Sequence, residues 1–158
     1  MQLLNNIKKD LKLTCRGAYT RLLKRHFGPF ARRRAWLRKT QYFSAEQLQR
    51  LQLERLQYLV RHVYETVPFY RQYMEEQRFT PAAIHGLDDI RRFPVITKAE
   101  LKRHGNAFVS TRFKDRWMRT VHTGGTTGAT LPIRRDLRSI QNEHAFVRRQ
   151  FDWAAVRM

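Results

Sequence analysis

The sequence predicts an α/β protein of the α+β type, in which a helical region comes first and a pair of strands comes late in the chain. Leucine and valine recur every three or four residues between residues 48 and 63, which is the spacing of one buried helix face. Residues 119–123 and 131–134 are instead short β-prone runs on either side of a glycine-rich loop. Because two strands alone do not make a stable sheet, we expect them to be the first strands of a larger domain.

The first 39 residues form a strongly basic segment. The chain of 158 residues has 32 Lys and Arg against 13 Asp and Glu, a net charge of +19. Residues 1–39 hold 12 of these bases and a single acid, so their net charge is +11. Apolar side chains at helical spacing predict helices here, until Gly28-Pro29 breaks the pattern. The segment is typical either of a helix on an anionic membrane or of one packed on its own protein with a solvated basic face.

A longer helix follows this segment. Ser44 and Gln47 match a capping box, in which each side chain bonds the other residue's free backbone N–H, so the helix begins there. Pro68 disfavours helical backbone in the residue before it, which predicts an end near Val67. The predicted buried face consists of Leu48, Leu51, Leu56, Leu59, Val60 and Val63.

Short capped helices are predicted between residues 80 and 105. Thr80-Pro81 is typical of an N-cap followed by proline at the first helical position, and Gly86 is expected to end that helix. Thr97 and Glu100 repeat the capping box, and Gly105 is the expected end of the second helix.

A strand pair and one more helix are predicted after Met118. Pro132 near the start of the second strand argues for an edge position, because proline cannot donate a ladder hydrogen bond. Asp136 is an expected N-cap. The predicted buried face of the last helix consists of Leu137, Ile140, His144, Val147, Phe151 and Ala154.

The loop between the two strands concentrates three of the seven glycines of the chain, with threonines around them. Glycine lets backbone N–H groups approach an anion closely, and threonine hydroxyls add neutral donors. A Walker-type P-loop is excluded because no lysine follows the last glycine, and a dinucleotide fingerprint needs a helix after the loop. A glycine-rich turn without a ligand is the remaining alternative. The candidate phosphate-binding residues are Thr123, Gly124, Gly125, Thr126, Thr127 and Gly128.

These residues resemble the phosphate loop of adenylate-forming enzymes. The upstream segments are similar to one branch, the phenylacetate–CoA ligase-like proteins, including the capsular-polysaccharide-biosynthesis and coenzyme F390 synthetase-like members. The resemblance covers residues 41–158 and depends on the order of its motifs. They are Val67-Pro68-Phe69-Tyr70-Arg71, then the segment from Ile84 to Ile90, then Phe93-Pro94-Val95-Ile96-Thr97-Lys98, and last the glycine-threonine loop.

The charge pattern assigns 1–39 as a basic helical segment, and the resemblance implies that 40–158 is the N-terminal part of an adenylation domain. The resemblance also implies ATP and Mg²⁺ as cofactors, CoA as a candidate acceptor and a small-molecule carboxylate as substrate. Many members carry Pro-Lys after the loop, where this chain has Ala129-Thr130-Leu131. The ribose-binding aspartate and the catalytic lysine of the family, which lie further downstream, are not found in these 158 residues. No catalytic residue and no metal ligand is therefore assigned, and we expect the chain to need a missing C-terminal portion or a partner chain.

A non-enzymatic basic module is the rival interpretation. Its partner would be nucleic acid or an anionic membrane contacted through residues 1–39, although no helix-turn-helix, zinc or RNA-binding signature favours nucleic acid. A third interpretation is a truncated or split gene product. The single cysteine, Cys15, and the absence of a signal-like or membrane-spanning stretch favour a cytoplasmic location, with peripheral membrane contact as an option.

Overall fold

The computed structural model describes residues 28–124 and 130–155. The predicted α+β class is confirmed, since these residues form helices and one small two-stranded sheet. The α-helices are α1 (Pro29–Thr40), α2 (Ala45–Thr66), α3 (Pro68–Glu76), α4 (Lys98–Arg103) and α5 (Leu137–Trp153). Short 3₁₀ helices span Pro81–Ala83, Leu87–Arg92, Gly105–Phe108 and Asp115–Trp117, and the strands are β1 (Met118–His122) and β2 (Pro132–Asp136).

The described residues belong to two compact units, one of residues 28–42 and 136–155, the other of residues 43–135. The division at residue 39 that the sequence suggested stays a prediction. The helices predicted within residues 3–27 lie outside the described residues. None of the helices in the described part is both long and apolar enough to cross a membrane.

Helix α2 begins as predicted. The Oγ of Ser44 accepts the Gln47 N–H at 3.3 Å, and the Gln47 side chain accepts the Ser44 N–H at 2.9 Å, which completes the capping box. The helix ends at Thr66, and Val67 has extended backbone before Pro68, which starts α3. The proline rule therefore located this boundary correctly.

The core of the unit of residues 43–135 consists of Val60, Met74 and Ile84, each at most 2% exposed. Leu53 and Leu56 pack against it from α2, so the buried line of that helix advances by three or four residues from 53 to 60. The predicted face was wrong at Leu48 and Leu59, which are 39% and 52% exposed. Leu59 lies one position off this line, and Leu48 precedes the part of α2 that has packing partners.

The short helices begin mostly where the sequence placed them. A 3₁₀ helix starts at Pro81, and the capping box of Thr97 and Glu100 is formed, with the Glu100 side chain accepting the Thr97 N–H at 2.7 Å. The helix ends predicted at two glycines were wrong. Gly86 and Gly105 both come at the start of a further 3₁₀ helix, because the preceding helices end two or three residues earlier.

Helices α1 and α5 pack on each other in the unit of residues 28–42 and 136–155. The core there contains Phe30, Leu37 and Ala145, with Trp36 packed against it. Asp136 caps α5 as predicted by accepting the Ser139 N–H at 2.7 Å. The predicted buried face of α5 was wrong at Leu137 and Val147, which are 49% and 38% exposed, and at Ala154, which is exposed beyond the helix end. The buried residues of α5 are Gln141 and Ala145. The small Ala145 side chain allows close approach of α1, so the contact follows Ala145 rather than the larger apolar residues.

Candidate phosphate-binding loop

Strands β1 and β2 form an antiparallel hairpin whose connecting loop holds the candidate residues. Thr123 closes the hairpin at the loop entrance. Its N–H donates to the Leu131 carbonyl at 3.0 Å, and its side-chain Oγ1 accepts the Leu131 N–H at 3.0 Å. Because a hydroxyl can accept and donate at once, the Thr123 O–H proton is left for a further acceptor. The side chain thus fixes the loop entrance and can still contact a phosphate oxygen.

Gly124 follows directly and is exposed. A Cβ added to this residue would meet no atom within 4 Å, and its φ is not in the left-handed region. Neither crowding among the described residues nor backbone conformation therefore requires glycine at this position. Gly125, Thr126, Thr127 and Gly128 lie outside the described residues, so their assignment to the site stays a prediction.

The segment that leads into the hairpin is tied to the end of α2. The Thr111 N–H and the Thr111 hydroxyl both donate to the Thr66 carbonyl, at 2.7 and 3.1 Å. This carbonyl belongs to the last turn of α2, where no intrahelical N–H is left to satisfy it. Thr111 therefore connects the helical part of this unit with the chain that continues into β1.

Arg134 is a positive group of the hairpin that the sequence analysis did not single out. It lies on β2, and its Nη2 bonds the Asp115 carboxylate at 2.5 Å. Its Nε is buried and finds no acceptor among the described residues. The two residues are 19 positions apart in the sequence, a separation that matches neither helical nor strand periodicity. No sequence signal therefore pointed to the pair. Because the Asp115 carboxylate offsets its charge, Arg134 mainly connects β2 with the 3₁₀ helix Asp115–Trp117.

The hairpin supplies neutral and cationic donors rather than metal ligands. No group of three His, Cys, Asp or Glu side chains that could hold a metal occurs in residues 28–124 and 130–155. The open Gly124 and the Thr123 hydroxyl fit a phosphate group, since both present hydrogen-bond donors without negative charge. Chemically, the arrangement can hold and orient a phosphate-bearing ligand, but it contains no acid–base or nucleophilic set.

The chain is similar to known ligases. It is 39% identical over 83 residues to the phenylacetate-coenzyme A ligase of Thermus thermophilus, which covers 52% of this chain and 19% of the relative. It is 32% identical over 97 residues to the enzyme of that name from Aromatoleum evansii, covering 61% of this chain and 22% of the relative. The Escherichia coli enzyme of that name is 33% identical over 85 residues, covering 54% and 20%. No protein-family model matches the chain.

These similarities support a relationship with an adenylate-forming ligase family, in agreement with the resemblance of the motifs. The chain spans about a fifth of the length of the curated relatives it matches. The activity, substrates and partners of a complete enzyme are therefore a matter of proposal.

Proposed function

We propose that this chain supplies the ATP-phosphate loop of a ligase that activates a carboxylic acid as an acyl-adenylate and passes the acyl group to CoA or another thiol. The observation that supports this most is the threonine-glycine loop at the end of a hairpin. It occurs in a chain that is 32–39% identical over 83–97 residues to four phenylacetate-coenzyme A ligases.

The role of the loop in such a reaction is to hold phosphate. The carboxylate of the substrate attacks the α-phosphorus of ATP, the bond to the β-phosphate oxygen breaks, and pyrophosphate leaves. The Thr123 hydroxyl and the Gly124 N–H, with the rest of the loop, would hold the β- and γ-phosphates so that the leaving group is in line. Donors fixed in this way also stabilise the charge that grows on the pyrophosphate. Mg²⁺ would supply further positive charge to these phosphates, with its ligands coming from outside the described residues.

The relatives are named phenylacetate-coenzyme A ligases, which suggests a class of acid to test. We propose an arylacetate such as phenylacetate as the first acid to test, with CoA as the thiol. The narrower assignment to surface or capsular polysaccharide biosynthesis, and peripheral contact of residues 1–39 with an anionic membrane, are proposals from the sequence alone.

ATP binding by the chain tests the loop directly. We expect a double variant, Thr126→Val with Thr127→Val, to weaken binding of a fluorescent ATP analogue about tenfold or more, since each hydroxyl lost from a charged phosphate is worth about a factor of ten. Thr130→Val is the matched control, because Thr130 lies in the same connection between the strands but outside the candidate residues 123–128. Measurement at low and high salt separates loop binding from attraction to the net charge of +19. Equal affinities of both variants and the parent chain would contradict the proposal.

Catalytic turnover by the chain is tested separately from ATP binding. We expect no pyrophosphate release from the 158-residue chain with ATP, Mg²⁺ and a panel of carboxylic acids, because the downstream residues that the family resemblance implies are not in it. Robust pyrophosphate release would show that these residues carry the whole reaction and would overturn the assignment of a phosphate loop without a catalytic set.

A further inference from the structure

A surface pocket of about 460 Å³ lies between α1 and α5 in the unit of residues 28–42 and 136–155. Three of its lining side chains are arginines, and one is an acid. Aromatic rings complete the wall. The residues that the following argument uses are Arg34, Arg38, Arg149, Asp152 and Trp153.

The acid in this pocket is already neutralised. Arg34 bonds the Asp152 Oδ2 at 3.1 Å through Nη2, and Arg148 bonds the Oδ1 at 3.0 Å through Nε. Both carboxylate oxygens therefore have a guanidinium partner. The positive charges of Arg38 and Arg149 are left without a carboxylate among the residues that line the pocket. The pocket therefore carries an excess of two positive charges.

Arg149 is held in place by aromatic rings rather than by an acid. Its Cζ lies 4.5 Å from the ring centre of Trp153 and 5.4 Å from that of Phe146. Trp153 is itself fixed, since its indole N–H donates to the Gln41 side chain at 3.0 Å. The Nε of Arg149 is buried and has no acceptor in the described part of the chain. The buried Nε is out of reach of a ligand, so an anion in the pocket would be met by the Nη groups of this guanidinium, which the two rings orient in advance.

We propose that this pocket binds a phosphate group between Arg38 and Arg149, either on a free phosphate ester or on a phospholipid headgroup. The planar guanidinium presents paired donors that match two phosphate oxygens, and a phosphate with up to two negative charges matches the excess charge of the pocket. This site is separate from the glycine-threonine loop and does not depend on the ligase proposal.

Titration of the full chain with glycerol 3-phosphate tests the site, with the indole N–H resonance of Trp153 as the readout. Trp153→Phe assigns that resonance. We expect a saturable shift that Arg38→Ala weakens about tenfold, because a charge-assisted hydrogen bond to phosphate is lost. Arg32→Ala is the matched control: it removes the same charge from the exposed surface of α1 but does not line the pocket. An equal loss in both variants would show attraction to net charge alone and overturn the proposal.

A second variant separates a loss of phosphate binding from a loss of folding. Arg149→Lys keeps the charge and loses the planar fork, so we expect at least a fivefold weaker phosphate affinity with unchanged far-ultraviolet circular dichroism. Unchanged affinity in Arg149→Lys would overturn the assignment of Arg149. Thr126→Val with Thr127→Val, the loop variant, should bind glycerol 3-phosphate as the parent does, which separates this site from the ATP loop.

Vesicles distinguish the two sources of phosphate. Flotation with phosphatidylcholine vesicles that contain phosphatidylglycerol reports a headgroup ligand if Arg38→Ala lowers the bound fraction more than Arg32→Ala does. A shift with glycerol 3-phosphate and equal flotation of both variants assigns the pocket to a free ester. Absence of both responses overturns the proposal.

Discussion

The helical part of residues 43–108 and the β1–β2 hairpin are stabilised in different ways. The helical part has an apolar core in which Met74 and Ile84 are at most 1% exposed. In the hairpin, even the apolar residues of the strands are exposed, with Val121 at 38% and Ile133 at 44%. Hydrogen bonds, such as the pair between Thr123 and Leu131, close the hairpin. Apolar burial thus stabilises the part that carries most of the family-like motifs, and backbone pairing stabilises the part that holds the candidate phosphate-binding residues.

The side chains of the Val67-Pro68-Phe69-Tyr70 motif belong to the part that is stabilised by packing. Val67 is buried, Phe69 stacks on Phe108 with ring centres 4.1 Å apart, and burial raises the pKa of the Tyr70 hydroxyl. Each of these side chains packs inside the helical part. The motif therefore contributes to the packing of the helical part, while the candidate phosphate-binding residues lie at the hairpin.

Met74→Ala should give the largest effect of the changes considered. Met74 is fully buried between α2 and the 3₁₀ helices, so its truncation should lower the free energy of unfolding by about 2–5 kcal/mol. Urea unfolding followed by circular dichroism measures this. Val95→Ala is the control, because Val95 is 91% exposed and its truncation should change stability by less than about 0.5 kcal/mol. A small effect of Met74→Ala would break the distinction between a packed part and a hydrogen-bonded part.

Thr123→Val tests how far a single hydrogen bond stabilises the hairpin. The change keeps the shape but removes the acceptor of the Leu131 N–H, so opening of the hairpin should become easier by about 1–2 kcal/mol. Hydrogen exchange at the Leu131 amide measures this local opening. Thr123→Ser retains the hydroxyl and should exchange close to the parent rate. If Thr123→Val instead destabilised the whole chain as much as Met74→Ala does, the hairpin would be part of the core.

The helix starts could be predicted from the sequence because they depend on local chemistry. Ser44 with Gln47, and Thr97 with Glu100, form their capping boxes within four residues of chain. The helix ends were less predictable. Gly86 and Gly105 were predicted to end helices, although Gly86 precedes a new 3₁₀ helix and Gly105 is the first residue of another. A glycine between two helices is compatible with either role.

The buried faces were only partly predictable because they depend on contacts between distant residues. On α5, the choice of Ala145 over Val147 follows from the close approach of α1, which is more than 100 positions away in the sequence. The candidate site was proposed from composition, since glycine and threonine cluster in the loop. The Arg134–Asp115 pair and the arginine pocket of α1 and α5 were not, because nothing in their spacing marks them as neighbours.

Ser44→Ala should have a smaller effect than either change above. It removes the acceptor of the Gln47 N–H at the start of α2, which should lower the free energy of unfolding by about 1 kcal/mol. Urea unfolding again measures it, and Ser44→Thr, which keeps a capping hydroxyl, is the control. A loss above about 2 kcal/mol would exceed what a cap supplies and would show that local hydrogen bonds matter in the helical part as much as in the hairpin.

Asp89→Asn should give the smallest change in the free energy of unfolding, and that change should be visible only in acid. The variant tests whether the helical part also depends on a hydrogen-bonded turn. The N–H groups of Gly86 and His85 donate to the Asp89 carboxylate, both at 2.9 Å, and with Arg92 they lower its pKa below the usual 3.8. A lowered folded-state pKa means that the stabilisation is complete above the unfolded-state value and is lost as the pH falls through the folded-state value. We therefore expect the parent to lose more stability than Asp89→Asn when urea unfolding is repeated below about pH 4. Asp88→Asn removes a charge from the same 3₁₀ helix without touching these amides, so it should keep the parent's acid dependence, and parallel acid curves for the parent and Asp89→Asn would contradict the prediction.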